Sequence, residues 1–325
     1  MNILVLSSGT RSLLVRYLKA SNPEGLIVCA DNSPYAPALY EGDLQYITPR
    51  IDAPGYLDAI LNICARHSIN GVFSLIDPEL VVLAKNADAF LKLGVKPMIS
   101  DLTAVEACFD KFAFAEMLLD ADVPTVKTYR SLAFALHDLS TGRLAFPLMI
   151  KPVKGSASIR LKKVEDVSAL NAAWRDAEDL IIQEWVDMTE YGVDCYVDFE
   201  SGELVDMFIK QKILMRAGET DKAVSSHNPI VEKTVKSMLE RLPVKFKGAI
   251  DVDLFSDGDR CLISEINPRF GGGYPHAYAC GVNFFSHYLQ NLAGASNKQY
   301  SGLQYEPHVY MMKYNDVCMK RHVEL

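Results

Sequence analysis

Asp251-Val252-Asp253-Leu254-Phe255 leads through Ser256-Asp257-Gly258-Asp259 into Arg260-Cys261-Leu262-Ile263-Ser264-Glu265-Ile266-Asn267-Pro268-Arg269. Two β-rich runs flank a turn of Asp and Gly, the pattern of an antiparallel hairpin. Side chains two apart in a strand share a face, so Glu265 and Asn267 offer their oxygens together. A three-residue loop centred on Gly258 sets Asp253 opposite Ile263 and on that same face; a two-residue Asp257-Gly258 turn sets it on the other. On one face, the three would suit a nucleotide-bound Mg²⁺, which favours a couple of carboxylates and keeps waters and phosphates. An acidic hairpin facing solvent has the same spacing, and spacing alone does not separate the two.

Working outward, Arg269 lies two residues past Asn267, beyond a proline that fixes the chain, and is expected on the metal face, where a guanidinium forks onto a phosphoryl group. Next comes Phe270-Gly271-Gly272-Gly273-Tyr274-Pro275-His276. Three glycines suit neither a helix nor a strand interior, and the expectation is a loop whose backbone a ligand approaches closely. Upstream, Phe146-Pro147-Leu148-Met149-Ile150-Lys151-Pro152 is strand-like and ends in a lysine. The loop Lys154-Gly155-Ser156-Ala157-Ser158 behind it could cradle phosphates with N–H groups and hydroxyls. There is no Gly-x-x-x-x-Gly-Lys-Ser/Thr, and Ser7-Ser8-Gly9-Thr10 lacks Gly-x-Gly-x-x-Gly spacing, so neither a Walker loop nor a dinucleotide fingerprint is present. Asp77-Pro78-Glu79 is read as a helix-capping aspartate with proline in the first turn. The seven histidines show no zinc spacing. Lys212, Arg216 and His276 are weaker candidates for holding a substrate.

In residues 1–101 the apolar runs 3–6, 26–30 and 72–76 alternate with helical stretches 11–19 and 56–67, a βαβ rhythm that predicts a doubly wound parallel sheet. Residues 102–185 open with helical segments at 104–109 and 112–120 and continue to the strand at 146–152. Residues 186–325 hold two hairpins, 191–199 with 204–214 and 249–255 with 260–266, and a short strand within 308–314. The fold class is therefore α/β followed by α+β. With 49% hydrophobic and 23% charged residues the chain is an ordinary globular one. A net charge of -8 argues against a general nucleic-acid binder. No apolar run approaches the roughly 20 residues of a membrane helix, and the first residues lack the form of a signal peptide. Seven cysteines without a Cys-x-x-Cys pair suit a reducing cytosol. A cytoplasmic protein with no nucleic-acid or membrane partner is expected.

Taken in order, Lys111, Lys151-Pro152, the Gly155-Ser156 loop, Ile182-Gln183-Glu184-Trp185-Val186, Glu190-Tyr191, Asp253 and Glu265-Ile266-Asn267-Pro268-Arg269 resemble the ATP-grasp superfamily, most of all a single unit of the carbamoyl phosphate synthase large-subunit-like branch. The resemblance spans about residues 1 to 300. It implies a pre-ATP-grasp domain (1–101), a small lobe with a lid loop (102–185) and a large lobe with the metal site (186–325). It further implies ATP with Mg²⁺, or Mn²⁺ in its place, as cofactors. Lys111 and Lys151 would neutralise phosphates from the two sides of the cleft, Gly155 and Ser156 would belong to the lid, and Glu184 and Val186 would hold the adenine edge through backbone groups. Glu190 would take the ribose, Asp253, Glu265 and Asn267 the metal, and Arg269 the transferred phosphoryl group, with Arg269 and Lys151 as the catalytic pair. The implied activity is an ADP-forming ligase that activates a carboxylate as an acyl phosphate and joins it to an amine, with small-molecule substrates and a homodimer compatible with the family. Two other readings stay open: a subunit acting on bicarbonate or carbamate only with a partner chain, and a non-catalytic ATP-binding regulator.

Overall fold

A computed structural model of the chain describes residues 1–155, 161–175 and 179–321. Its first third forms β1 (Ile3–Leu6), α1 (Ser12–Ser21), β2 (Ile27–Asp31), β3 (Leu44–Ile47), α2 (Tyr56–Arg66), β4 (Gly71–Ser74), α3 (Asp77–Lys85), α4 (Ala87–Lys92) and β5 (Lys96–Pro97). The strands pair all-parallel in the order β3-β2-β1-β4-β5. Ile3 and Val5 pack with Leu14 and Leu18 of α1, while Leu4 and Leu6 pack with Ile60 of α2 and Leu80 of α3. Covered on both faces, β1, β2 and β4 are wholly buried, which is why they read as unbroken apolar runs. β3 is an edge strand alternating half-buried with exposed side chains, and it carries no such run. The strand order reverses between β1 and β4, so the crevice of this sheet lies at their carboxyl ends, beside residues 7–11 and Asp77.

The chain continues with α5 (Leu102–Phe109), α6 (Lys111–Asp120), β6 (Thr128–Tyr129), α7 (Leu132–Ser140), β7 (Leu148–Pro152), β8 (Lys162–Val164), α8 (Val167–Arg175) and β9 (Leu180–Glu184). The four strands make an antiparallel sheet, β6-β9-β7-β8. Ala135 of α7 and Leu170 of α8 pack on its Leu148, Ile150 and Ile182.

The last third holds β10 (Thr189–Val197), β11 (Leu204–Arg216), β12 (Glu219–Ser225), α9 (Pro229–Arg241), β13 (Gly248–Ser256), β14 (Cys261–Asn267), α10 (Tyr274–Ala279), α11 (Phe284–Leu292) and β15 (Tyr310–Met312). Its six strands form an antiparallel sheet, β14-β13-β10-β11-β12-β15. The two-residue period gives this sheet a dry face, where Val193, Cys195, Ile209, Val252 and Leu254 meet Val231 and Val235 of α9. Phe114 and Leu118 of α6 join that core, so α6 packs on the large sheet and not only on the small one. The opposite face is divided along its length. Tyr196, Phe208 and Ala249 share a core with α10, α11 and the N-terminal sheet; the other end of the same face carries charge.

The β13–β14 register decides which side chains share that charged end. Asp251 pairs with Asn267, Val252 with Ile266 and Asp253 with Glu265; the ladder then shifts, pairing Leu254 with Ile263 and Ser256 with Cys261. Between the last pair lie four residues, neither of the turn lengths considered above. An unbroken ladder from that turn would set Asp253 opposite Ser264 and send Glu265 to the dry face. The bulge at Ser264 inserts one residue and restores the alternation. Asp253 therefore faces Glu265, not Ile263, and Asp253, Glu265 and Asn267 do share a face.

Candidate functional site

The charged end collects Glu190 and Asp194 from β10, Lys210 and Lys212 from β11, Asp251 and Asp253 from β13, and Glu265 and Asn267 from β14. Gly192 is the reason two lysines fit among them. A methyl group there would stand 3.1 Å from Lys210 Cε and 3.2 Å from Lys212 Cε. The lysines thus cross over the bare β10 backbone. Lys212 Nζ meets Asp253 Oδ1 at 2.6 Å and Glu190 Oε1 at 2.8 Å; Lys210 Nζ meets Asp194 Oδ2 at 2.6 Å and lies 3.9 Å from Asp251 Oδ1. Five carboxylates face two lysines, with Lys151 of the small sheet as a third cation opposite.

That imbalance shows in the protonation tendencies. Burial opposes the charge on Lys212, but Asp253 and then Glu190 outweigh it and hold the ammonium above the ordinary lysine value. Asp253 is pushed up by burial; Lys212 pulls it back, and Asp251, Glu265 and Glu190 push again. The two partners pull in different senses. The 2.6 Å contact is an ion pair, and the upward push on Asp253 comes from a buried site short of positive charge. Lys151 is lowered, first by burial and then, against the pull of Glu265, by Lys111.

A cavity of about 820 Å³ lies between the two antiparallel sheets. Lys111, Lys151, Gly155, Glu184, Val186, Glu190, Asp253, Glu265 and Asn267 all line it. Ser156 lies outside the described residues, and Arg269 is not in the lining but contacts Asn267 and Asp77, which are. Lys111 opens α6, where Asp110 caps the helix by accepting from the N–H groups of Phe112 and Ala113 at 3.1 and 3.0 Å. The Lys111 N–H donates to the Val153 carbonyl at 3.0 Å and its Nζ to the Gly155 carbonyl. Lys111 of α6 thus reaches the loop that follows β7, the strand that carries Lys151. At the other end, the Glu184 N–H is spent on the Lys127 carbonyl at 3.0 Å, and its carboxylate accepts from the Lys127 N–H at 2.8 Å. Among the described residues the Val186 N–H makes no backbone hydrogen bond.

Among the described residues, no three His, Cys, Asp or Glu side chains already close around one point as a metal cage. Asp253 is instead turned onto Lys212. The donor set still fits a hard cation of the Mg²⁺ type, with Asp253, Glu265 and Asn267 as the residues that would hold it, because such an ion takes few protein oxygens and completes its shell from waters and phosphates.

Three local readings change. Asp77 makes no capping bond; its carboxylate meets Arg269 Nη2 at 2.8 Å. The glycines admit the protein's own charged side chains: a methyl group at Gly271 would stand 2.4 Å from the Asp251 carboxyl carbon, at Gly272 2.8 Å from Arg11 Nη1, and at Gly273 2.6 Å from Lys210 Cε. Of the weaker candidates, Lys212 lies at the centre of the site, His276 is buried against the Val309 carbonyl, and Arg216 pairs with Asp221. Sequence reasoning missed Asp251, Asp194 and Lys210; Asp251 carried a signal, being two residues before Asp253.

The chain matches the ATP-grasp domain family over residues 108–273, a little over half of its length, and the PylC-like N-terminal domain family over residues 3–98. The carbamoyl phosphate synthase large chain of Clostridium acetobutylicum is 22% identical over 227 residues, 66% of this chain and 21% of that one. A D-alanine--D-alanine ligase of Ectopseudomonas mendocina is 31% identical over 104 residues, 31% of this chain and 33% of that one. The matches thus span a fifth to a third of these relatives' lengths. The crystal structure of an L-amino acid ligase from Bacillus licheniformis superposes with a TM-score of 0.69 at 19% identity, covering 90% of this chain and 73% of that one. At that identity the likeness is one of fold.

Proposed function

The chain belongs to the ATP-grasp family, and we propose that it is an ATP- and Mg²⁺-dependent, ADP-forming ligase that joins a carboxylate to an amine. The observation that carries the reading is the wall of the 820 Å³ cavity, which the acidic end of the large sheet shares with Lys151 of the small sheet and Lys111 of α6. An excess of carboxylate on one side and lysines on the other suits a polyphosphate carried with a divalent ion.

In this reading the Glu184 carbonyl and the Val186 N–H hold the adenine edge, Glu190 takes the ribose, and Lys111 and Lys151 lie along the phosphates. Asp253, Glu265 and Asn267 would hold Mg²⁺, which would supply charge neutralisation for the phosphates. Arg269 stabilises the transferred group. A substrate carboxylate oxygen bonds to the γ-phosphorus while the bridging P–O bond breaks and ADP leaves. An amine nitrogen then bonds to the acyl carbon, phosphate departs, and the nitrogen loses a proton. The acyl phosphate requires that water be kept from the cavity while the amine attacks.

The same reading takes residues 1–101, 102–185 and 186–325 as its units, Mn²⁺ as a substitute ion, a homodimer as the assembly and the cytoplasm as its setting. Among the described residues no helix is long and apolar enough to cross a membrane. The test is ADP release with Mg²⁺·ATP across amino acids, small diacids and bicarbonate, with hydroxylamine present to trap an acyl phosphate as a hydroxamate. One acid giving both ADP and hydroxamate supports the reading. ADP only after a partner chain is added favours the subunit alternative; failure to bind Mg²⁺·nucleotide at all overturns both.

A further inference from the structure

We propose that Asp77, contributed by the N-terminal parallel sheet, is a positioning residue for Arg269, so that this sheet takes part in setting the geometry of phosphoryl transfer. The inference rests on the reading above, in which Arg269 serves the transferred group. Asp77 follows β4 at the carboxyl end of the sheet, beside the point where the strand order reverses, and stands 192 residues from Arg269 in sequence. Their side chains are only 12% and 10% exposed. Arg269 Nη2 donates to Asp77 Oδ2 at 2.8 Å and to Asn267 Oδ1 at 3.2 Å, and Nη1 donates to the Phe270 carbonyl at 3.1 Å. Two acceptors beside Arg269 in sequence and a third from the N-terminal unit fix the plane of a rigid fork. One of them, Asn267, belongs to the set that would hold the metal, and both Asn267 and Asp77 line the cavity.

The guanidinium is not exhausted by these contacts. Its Nε is buried and has no partner among the described residues. Asp77 is also the only acceptor of the three that carries charge, and Arg11, which ion-pairs with Glu219 at 2.7 Å, places a second guanidinium in the same region. Without Asp77, Arg269 would keep only its two acceptors from residues 267 and 270 and would lose the one carboxylate it contacts. A contact that merely fastened the two units together would lower stability and affect every nucleotide alike.

The experiment is calorimetric titration of the full chain with Mg²⁺·ADP and with Mg²⁺ and the β,γ-imido analogue of ATP. It uses wild type, Asp77→Asn, Arg269→Gln and the double variant. Asp77→Asn is expected to keep ADP affinity within about twofold while weakening the analogue by about tenfold, and the double variant to lose no more than Arg269→Gln alone. Asp77→Glu, which keeps the charge, is expected to recover part of the selectivity. Equal weakening of both nucleotides, no weakening of either, or additive losses would overturn the proposal. Should Asp77→Asn fail to fold, Asp77→Ser is read by the same criteria. A wild-type chain that binds neither nucleotide removes the reading of Arg269 and this inference with it; binding without the selective loss removes this inference alone.

Discussion

Replacing Lys212 with methionine keeps most of the side-chain volume and removes the cation that lies 2.6 Å from Asp253. Asp253 is 17% exposed and Lys212 only 4%, so the pair is shielded from solvent, and breaking such a pair costs about 3–5 kcal/mol. A ceiling follows from proton linkage. The stranded carboxyl can always take up a proton, and for a group with an unfolded pKa of about 3.9 that costs about 4 kcal/mol at pH 7 and about 2 kcal/mol at pH 5.5. The structure already pushes Asp253 upward through burial and through Asp251, Glu265 and Glu190, so the variant is set to follow the protonation route. The sign is fixed: with its folded pKa raised above the unfolded value, the variant binds more protons when folded, and its deficit shrinks as pH falls. Denaturant unfolding of wild type and Lys212→Met at pH 7 and 5.5 reads this directly. A deficit of about 3–4 kcal/mol at pH 7, smaller by about 2 kcal/mol at pH 5.5, is expected. A deficit below about 1 kcal/mol at pH 7, or one that grows toward acid, would show that Lys212 does not carry the charge balance of this site.

Gly271→Ala sets a methyl group against the Asp251 carboxyl carbon and should cost about 1–3 kcal/mol in denaturant unfolding; an unchanged midpoint would mean that Asp251 has room to move. His276 is buried, and burial followed by Lys210 lowers its pKa to about 4. It stays neutral in the fold while the unfolded chain protonates near 6.5, so its contribution is complete above about pH 6.5 and is lost as pH falls toward 4, by up to about 3 kcal/mol. His276→Gln should flatten the stability profile within that window, and parallel profiles would contradict the assignment. Asn291→Ala takes from Asp198 a donor at 2.8 Å and from the Tyr196 hydroxyl its acceptor at 2.8 Å. Both partners are buried, so a loss of about 2–4 kcal/mol is expected by thermal or denaturant unfolding, and a neutral result would place water there instead.

The parts of the fold that sequence reveals are those whose information is local. β1, β2 and β4 are apolar along their length because helices cover both of their faces, whereas β3, an edge strand, has no such run to read. The shared face of Glu265 and Asn267 follows from strand periodicity alone. The face of Asp253 does not, since it depends on a bulge at Ser264 that no residue type announces. Asp194 and Lys210 become neighbours only through strand pairing, and Gly192 acquires its meaning from the two lysines laid across it. The glycine run was legible as a place of close approach, but what approaches is side chains from β11 and β13 and from the start of α1. Asp77 offers a complete local explanation as a helix cap, and a partner 192 residues away leaves no trace in its neighbours.

Electron paramagnetic resonance of Mn²⁺ titrated into the chain with ADP probes the convergence of Asp253, Glu265 and Asn267 more directly than any activity assay. Wild type should bind Mn²⁺ weakly alone, because Asp253 is engaged by Lys212, and much more tightly with ADP present. Glu265→Gln and Asn267→Ala should each abolish most of that gain while leaving the thermal midpoint nearly unchanged. Nucleotide-linked Mn²⁺ binding that survives both substitutions would place the ion elsewhere and take the ligase reading of this cleft with it.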